Sequence, residues 1–425
     1  MDRRVILFFI VILFVSSSFL LFVRFSSFNV KALTSDPVHN LDTGLNYTTI
    51  QEAIDSNETL DGHTIFVEDG TYYENVVVSK EVSLVGENKN KTIIDGNGKA
   101  VVSLKSNGTK IEDFTVQNGH HGILMSPWTH SHIISNNILT NNERGISGHY
   151  DVVDVNICWN TIIFNNVTGI NMLFSHSVIS NNLISDNGKG EFQEYSSGIQ
   201  ISSGINSKII YCENNMIFGN TIQNHRIGIW AIRYSEENLF FHNHFINNKK
   251  QISASTATWN NSMTKNYWSD YAGTDADNDG VGDVPHIIDN IVRDNHPLMG
   301  RFSDFNVTSE LYVQTICNSS ISDFRFNGTA ILFNVTGVDG SAGFCRICIP
   351  KTLMGDAFRV FVNGTRMPYT LLTEISNTTH NHLYFDYTHS IQEVIVIPEF
   401  PPFLFLPIFI IVIMLATLIH RKRKM

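Results

Sequence analysis

The chain has few charged residues and little clustered positive charge. Charged side chains make up 16% of its 425 residues, and the net charge is −11. Apart from the two ends, no tract of the sequence concentrates Lys and Arg. Nucleic-acid binding needs such clusters to meet the phosphates, so the composition argues against a nucleic-acid partner. An apolar fraction of 43% is typical of a globular protein and argues against disorder.

Cysteine is scarce as well. The five cysteines are Cys158, Cys212, Cys317, Cys345 and Cys348. The last two form a single Cys-x-x-Cys pair, whereas a zinc ribbon takes four ligands from two such pairs. The cysteine pattern therefore argues against a zinc ribbon.

Both ends of the chain are strongly apolar. Arg3 and Arg4 precede an apolar run from Val5 to Val23, which predicts a signal peptide or signal anchor over residues 1–32. A second run, residues 403–419, is followed by a basic tail and predicts a transmembrane helix with its basic side in the cytoplasm. We therefore expect a membrane-anchored cell-surface protein whose residues from about 33 to 397 are extracellular.

Two further patterns agree with export. The tail over residues 397–425 begins with Pro398-Glu399-Phe400-Pro401 and resembles archaeal surface-sorting tails, which implies a sorting peptidase (an archaeosortase) as a partner; the alternative is an uncleaved membrane helix. Twelve Asn-x-Ser/Thr sequons are present, six of them within residues 306–377, which predicts glycosylation of that segment.

A glycine followed by an isoleucine recurs through the middle of the chain. The isoleucines are Ile123, Ile146, Ile170, Ile199, Ile229 and Ile252, the last preceded by Gln251 in place of glycine. They lie 23, 24, 29, 30 and 23 residues apart, and a period of this length is typical of one solenoid coil. Apolar or small residues alternate with mostly polar ones around each isoleucine, which predicts a half-buried strand.

Asparagine recurs with the same period. The predicted rungs are Asn136/Asn141, Asn160/Asn165, Asn182/Asn187, Asn220/His225 and Asn243/Asn248. Such amides can form ladders through the bends of stacked coils, and glycine can supply the other corner. The pattern predicts a parallel β-helix with isoleucine stacked on isoleucine. The alternative, a β-sandwich with Asn-rich loops, would make the isoleucine register an accident.

Several phrases of the sequence resemble a known fold. Phrases similar to the opening of pectin-lyase-fold proteins are Thr49–Ile54, Gly70–Glu74, Val82–Glu87 and Ile93–Gly96. From about residue 45 to 300 the chain resembles the NosD-like group, whose coils are also called carbohydrate-binding and sugar-hydrolysis repeats. The resemblance implies an all-β chain with a right-handed parallel β-helix over residues 33–300, capped first by a short helix and ended by an acidic loop.

The resemblance also raises the question of copper. The members that gave the NosD-like group its name are linked to copper delivery for nitrous oxide reductase. His130 with His132, and His242 with His244, are two residues apart and would share a strand face as copper or zinc ligands. Neither pair has an obvious third ligand in the sequence.

Residues 301–396 have a different pattern, with short runs in which apolar and polar residues alternate and with Asn-Gly turns at Asn327 and Asn363. A small β-sandwich-like domain is expected. In an oxidising compartment, Cys317 would form a disulfide with either Cys345 or Cys348.

An acidic loop suggests a calcium site. The expected ligands are Asp275, Asp277, Asp279, Val281 (through its carbonyl) and Asp283. An EF-hand would have glutamate where His286 stands, so Asp270 or Asp289 would have to complete the shell. The alternative is a solvated acidic turn.

The outer face of the coils offers two kinds of site. The predicted catalytic residues are Glu143, Asp151, Arg226 and Arg233, as paired carboxylates for a glycoside hydrolase or bases for a polysaccharide lyase. The predicted carbohydrate-binding residues are Trp128, Gln200, Arg226 and Trp230. We therefore favour binding of an extracellular polysaccharide or envelope glycan; an enzyme acting on such a glycan and a structural envelope protein are the alternatives.

Overall fold

The computed structural model describes residues 36–399 except 191–195, 202–204, 207, 210–211, 233–234 and 255–258. The two terminal apolar runs, and with them the predicted signal segment and transmembrane helix, lie outside the described residues. Within the described part of the chain, no helix has the length and apolar character needed to cross a membrane.

Three sheets of short, mostly parallel strands form a solenoid. Sheet 1 consists of Val38–Asn40, Leu45–Tyr47, Thr64–Val67, Ser83–Gly86, Lys110–Glu112, Ile133–Ser135, Asn156–Cys158, Val178–Ser180, Cys212–Glu213, Met216–Phe218, Ser235–Phe241 and Trp259–Thr264. Sheet 2 consists of Gly70–Tyr72, Thr92–Asp95, Thr115–Gln117, Ile138–Thr140, Thr161–Ile163, Leu183–Ser185, Thr221–Gln223, His244–Ile246 and Tyr267–Trp268. Sheet 3 consists of Val76–Val78, Ala100–Leu104, His121–Met125, Arg144–Ser147, Thr168–Met172, Ser197–Ile201, Ile227–Ala231 and Lys250–Ala254.

Isoleucines stack in the interior as the repeat predicted. Ile146 pairs with Ile123 on one side and Ile170 on the other, and the column continues to Ile252. All six isoleucines are fully buried. The predicted all-β parallel solenoid is confirmed, with about eight coils in the described residues.

The glycines before these isoleucines serve a different purpose from the one predicted. They lie within strands of sheet 3 and none has a left-handed φ, so the expectation that they form a corner is wrong. A Cβ atom on Gly169 would lie 2.7 Å from the carbonyl oxygen of Gly198 in the next coil. Glycine therefore lets adjacent coils approach. Gln251 is tolerated because its strand is the last of sheet 3 among the described residues.

Asparagine ladders hold the bends together. Asn160 donates from Nδ2 to the carbonyl of Ile134 (2.8 Å) and to Oδ1 of Asn182 (3.0 Å), while its own Oδ1 accepts from the backbone N–H of Asn137 (2.9 Å). The ladder begins at Asn137, and a second one begins at Asn142. The predicted first rung, Asn136/Asn141, was therefore wrong by one residue.

The residue before each rung adopts a left-handed conformation. These residues are Asn136, Trp159, Asn181, Gly219, His242 and Lys265 for the first ladder, and Asn141, Phe164, Asp186, Asn224 and Asn247 for the second. We call the first set the left-handed column. Its members turn the chain, while the following rung residue points inward.

Each end of the solenoid is covered. The expected short helix is present at Ile50–Asp55, with Thr49 as its N-cap, and it buries Ile50, Ala53 and Ile54 in the core. At the other end the fully buried Asp294 terminates the first ladder. Its carboxylate accepts hydrogen bonds from Lys265 N, Asn266 N and Nδ2, Trp268 Nε1 and His296 N, at 2.9 to 3.1 Å.

Residues 301–398 form two antiparallel sheets, which we call the antiparallel unit. Sheet 4 consists of Arg301–Asn306, Tyr312–Cys317, Ala342–Pro350, Thr370–Leu371 and His380–Thr388. Sheet 5 consists of Ser320–Phe326, Ile331–Thr336, Phe358–Val362, Thr365–Met367 and Gln392–Pro398. A four-residue helix, Lys351–Met354, follows one strand of sheet 4. Buried residues from both sheets form one cluster.

The cysteines of the antiparallel unit lie on two faces of sheet 4. All five cysteines of the chain are free thiols. Cys345 stands directly opposite Cys317 in register, and both side chains belong to the buried cluster. Cys348 lines the opposite face beside Arg346 and His382. Of the two pairings that the sequence allowed, the geometry therefore rules out Cys317 with Cys348.

Candidate functional site

The structure separates the residues predicted for catalysis. Glu143 is bound by Nδ1 of His120 (2.5 Å) and by Arg144 (2.8 Å). Asp151 lies beyond the other end of the strand that Glu143 precedes. Arg226 belongs to a coil three steps further on, about 14 Å away at the usual strand spacing. Arg233 lies outside the described residues. The three described residues do not converge.

The residues predicted for carbohydrate binding occupy three places. Gln200 and Trp230 are neighbours in register on sheet 3, and both side chains are half-buried. Trp128 is 68% exposed, lies three coils from Gln200 and four from Trp230, and meets Tyr150 edge-on at 5.3 Å between ring centroids. Arg226 is exposed in a separate cleft. Gln200 and Trp230 thus form the one adjacent pair of the predicted set.

The acidic loop gathers three of the predicted calcium ligands. Carboxylate oxygens of Asp275, Asp277 and Asp279 lie within 4.8 Å of one another. Burial raises the pKa of Asp275 to about 6, and the like charge of Asp279 adds to the shift, although N–H groups of Asp279 and Gly280 oppose it. Such a cluster suits a hard divalent cation, which would remove the repulsion.

The rest of the predicted calcium shell is engaged elsewhere. Asp283 accepts a hydrogen bond from Ala276 N (2.8 Å). Asp270 accepts from Gln251 (2.9 Å) and pairs with His286 at 3.5 Å. Asp289 accepts from two backbone N–H groups. The protein oxygens that the loop gathers are thus fewer than an EF-hand supplies.

The histidine pairs do not fit a copper site. His130 is exposed, His132 is fully buried, and the left-handed Ser131 turns the chain between them, so the expectation of one shared face is wrong. His242 stacks on Phe302 with ring centroids 3.7 Å apart. Among the described residues, the three aspartates of the acidic loop are the one metal-type group found.

A cleft between the solenoid and the antiparallel unit escaped the sequence analysis. It has a volume of about 720 Å³. Its aromatic walls are Trp159 and Phe218 from the solenoid and Phe302, Phe305, Tyr312 and Phe324 from the antiparallel unit. Polar groups between them include Asn181, Thr221 and Asp304. We call this space the aromatic cleft.

Packed rings fix both walls of the aromatic cleft. On the solenoid side, Phe218 stacks on Phe241 with centroids 4.9 Å apart. On the other side, Phe305 lies nearly parallel to Phe324 at 3.9 Å. Burial raises the pKa of Asp304, which also contacts Gln314. The cleft therefore offers preformed apolar faces with a few polar groups beside them.

Trp159 is the unusual member of this cleft. It is 61% exposed and has a φ of +60°. Its neighbours in the left-handed column, Asn136, Asn181 and Gly219, are residue types that adopt this conformation readily. A bulky side chain there costs about 1 to 2 kcal/mol. The sequence carried a signal for it, since Trp159 directly precedes Asn160, a rung that was predicted correctly.

The coils, their ladders and the stacked isoleucines define a parallel β-helix protein. The family model described as "Periplasmic copper-binding protein (NosD)" matches residues 54–273, just over half of the chain. The protein belongs to the NosD family.

Curated relatives match shorter segments. A "Cell surface glycoprotein" of Methanothermus fervidus is 38% identical over 103 residues, covering 24% of this chain and 17% of the relative. A "Probable ABC transporter binding protein NosD" of Stutzerimonas stutzeri is 32% identical over 120 residues, covering 26% of each chain. The match thus spans about a quarter or less of either relative.

The solved structures that resemble this chain have low sequence identity to it. The Dettilon tailspike protein (gp208) is 13% identical, with a TM-score of 0.36, covering 79% of this chain and 85% of that chain. An alginate lyase from Paenibacillus is 14% identical, with a TM-score of 0.35, covering 51% of this chain and 72% of the other.

Proposed function

We propose that this NosD-family protein acts outside the cytoplasm and binds carbohydrate in the aromatic cleft. The observation that carries the proposal is Trp159, a large ring held exposed in a left-handed conformation. The turn needs a left-handed residue but not a large ring, and residues in such sparsely populated backbone conformations cluster at functional sites. A Trp that served stability alone would be buried, because an exposed ring gains little from the hydrophobic effect.

The chemistry of the cleft suits a sugar chain. Trp159 and Tyr312 offer ring faces against which the C–H face of a sugar can pack. Asn181 and Thr221 can hydrogen-bond its hydroxyls. A volume of about 720 Å³ lies within the usual range for ligand sites and fits a short oligosaccharide segment. The pair Gln200 and Trp230 on sheet 3 is a second candidate surface for the same kind of ligand.

The expected location of the protein supports an extracellular glycan as the ligand. The matched relatives carry names that place them at the cell surface or, for the family, in the periplasm. The apolar ends support membrane anchoring, with a sorting peptidase as a partner of the tail. We also infer that the antiparallel unit is the small β-sandwich expected for residues 301–396.

A matched pair of variants tests the site. Trp159→Asn and Phe164→Asn each replace an exposed aromatic residue at a left-handed position with the residue that suits it, but Phe164 lies at the other bend. The full-length protein and both variants are applied to a glycan array. We expect Trp159→Asn to lose at least tenfold in affinity and to melt no lower than the parent, while Phe164→Asn binds normally. Equal binding by all three proteins would contradict the proposal.

A third variant separates the two candidate surfaces. Trp230→Ala changes sheet 3 and leaves the aromatic cleft untouched. If Trp230→Ala abolishes binding and Trp159→Asn does not, the ligand site lies on sheet 3. If neither substitution weakens binding, or if the parent protein binds no glycan, the proposed function is wrong.

We further propose that the acidic loop binds calcium through Asp275, Asp277 and Asp279. The support is the mutual approach of their oxygens and the raised pKa of Asp275. The loop also contacts the antiparallel unit, since Arg346 donates to the carbonyl of Asp279 (2.8 Å). A bound cation would then stiffen the junction that forms the aromatic cleft.

A further inference from the structure

A chain of polar side chains crosses the antiparallel unit. Sγ of Cys317 lies 3.3 Å from the hydroxyl of Tyr387, which lies 2.6 Å from the hydroxyl of Ser319. The Ser319 hydroxyl lies 2.6 Å from Nε2 of His389, and Nδ1 of His389 lies 2.7 Å from the Ser341 hydroxyl. Only Ser341 is exposed; the other four residues are at most 7% exposed. The chain therefore connects a buried thiol with the surface.

The hydrogen bonds of this chain can all run in one direction. Ser341 donates its hydroxyl hydrogen to the carbonyl of Val338 (2.6 Å), so it accepts from Nδ1–H of His389. A neutral His389 then accepts at Nε2 from Ser319, Ser319 accepts from Tyr387, and Tyr387 accepts from the Cys317 thiol. Each residue of the chain thus donates its hydrogen to the next residue toward the surface. A proton can therefore move outward when each of these hydrogens shifts to its acceptor.

Two glycines make room for the histidine of this chain. A Cβ atom on Gly337 would lie 2.4 Å from Cδ2 of His389, and one on Gly343 would lie 2.9 Å from the same atom. Any other residue at these positions would push the imidazole away from Ser319. The backbone is therefore shaped around the ring.

Cys345 completes the site. It lies opposite Cys317 on the adjacent strand, and both side chains face the same core. Burial raises the pKa of Cys345 well above its ordinary value. Burial also disfavours the Cys317 thiolate, but hydrogen bonds from Cys345, Tyr387 and Ser319 outweigh it and lower the pKa of Cys317. Cys317, whose Sγ contacts the Tyr387 hydroxyl, is thus the thiol of the two that loses its proton more readily.

We propose that Cys317 and Cys345 form a redox modification site that a small peroxide converts to a disulfide, with the Cys317 proton leaving through Tyr387, Ser319 and His389. The Cys317 thiolate attacks a peroxide oxygen; the O–O bond breaks, a sulfenic acid forms, and the released hydroxide takes up the proton. The Cys345 thiol then displaces water from the sulfenic sulfur. Two thiols and one hydrogen peroxide give one disulfide and two waters.

Cysteine mapping on the full-length protein tests the pair. The native protein is treated with hydrogen peroxide, remaining thiols are alkylated in denaturant, and peptides are analysed by mass spectrometry. We expect a disulfide-linked peptide containing Cys317 and Cys345, with Cys348 still alkylated. Cys345→Ser should stop at a sulfenic acid on Cys317 that dimedone traps, and Cys348→Ser should behave like the parent. Oxidation of Cys348 in preference, or no loss of the Cys317 thiol, would overturn the pair.

A serine pair tests the proton route. Ser319→Ala interrupts the chain, whereas Ser322→Ala changes an exposed serine nearby. We expect Ser319→Ala to slow Cys317 oxidation at least tenfold at pH 7, with a smaller deficit at pH 9 where hydroxide can take the proton directly. Ser322→Ala should oxidise at the parent rate. Melting curves of the reduced proteins confirm that both variants fold, and equal rates for both would refute the route.

Discussion

Replacing His225 with asparagine should make the protein less sensitive to acid. His225 occupies an asparagine position in the second ladder and is 3% exposed. Its Nδ1 lies 3.1 Å from Oδ1 of Asn248 and its Nε2 lies 3.3 Å from Nδ2 of Asn187. A neutral ring can donate to Asn248 and accept from Asn187, but a protonated ring would turn a second N–H toward the Asn187 amide hydrogens.

The size of the effect follows from the pKa. Burial lowers the pKa of His225 from 6.5 to about 4, although the Asn248 hydrogen bond and the charge of Asp186 oppose the shift and Lys189 adds to it. Between these values the unfolded chain binds a proton that the folded protein excludes, so the free energy of unfolding falls as the pH falls from about 6.5 toward 4. The loss at pH 5 relative to pH 7 is about 2 kcal/mol from this residue.

Urea unfolding of parent and His225→Asn at several pH values measures this. We expect similar free energies of unfolding at pH 7 and an advantage of about 2 kcal/mol for the variant at pH 5, because asparagine can restore the ladder contacts and does not titrate. His130→Asn, which changes an exposed ring, is the control and should follow the parent. Parallel pH profiles for parent and His225→Asn would refute the reasoning.

Three further substitutions test other parts of the structure. Asp294→Ala should lower the free energy of unfolding by on the order of 4 kcal/mol, since it leaves buried N–H donors unpaired at the end of the first ladder; urea unfolding measures it, and a loss below about 1 kcal/mol would contradict this role. Gly169→Ala should cost roughly 2 kcal/mol because its Cβ meets the Gly198 carbonyl, whereas Gly70→Ala, whose Cβ would have no neighbour closer than 3.5 Å, should be nearly neutral; equal melting temperatures would contradict the close approach of coils. Asp275→Asn should melt higher than the parent in chelator at pH 8, because a raised carboxyl pKa destabilises the folded state as the pH rises from about 4 through 6, and it should lose any stabilisation by calcium; a parent that melts equally with calcium and with chelator would contradict the calcium proposal.

The interior of the solenoid could be predicted from the sequence because the packing between coils repeats at a regular spacing. Each isoleucine must meet its counterpart one coil away, so the spacing alone identified the column. The Asn rungs were less certain at the first coil, where Asn136-Asn137 and Asn141-Asn142 are doublets. Both alignments satisfy the five-residue step; only the burial of Leu139 and the partial exposure of Ile138 decide between them.

The aromatic cleft could not be read in the same way. Trp159 and Tyr312 are 153 residues apart in sequence, and they line one cleft because the antiparallel unit packs against the solenoid. That packing depends on single contacts, such as the stacking of His242 on Phe302 and the hydrogen bond from Arg346 to the carbonyl of Asp279. No periodic pattern in the sequence predicts such contacts. The predicted sites on sheet 3 followed the repeat and therefore missed this junction.

The ladders also explain where the protein can vary without losing its fold. A rung such as Asn160 is fixed by four hydrogen-bonding demands, so a substitution there disturbs three coils. The side chain of the preceding left-handed residue is not buried in the coil, so it can change without breaking the ladder. Trp159 and His242 both belong to the left-handed column, and each faces the antiparallel unit across a cleft. Ligand contacts built on this column can therefore change independently of coil stacking.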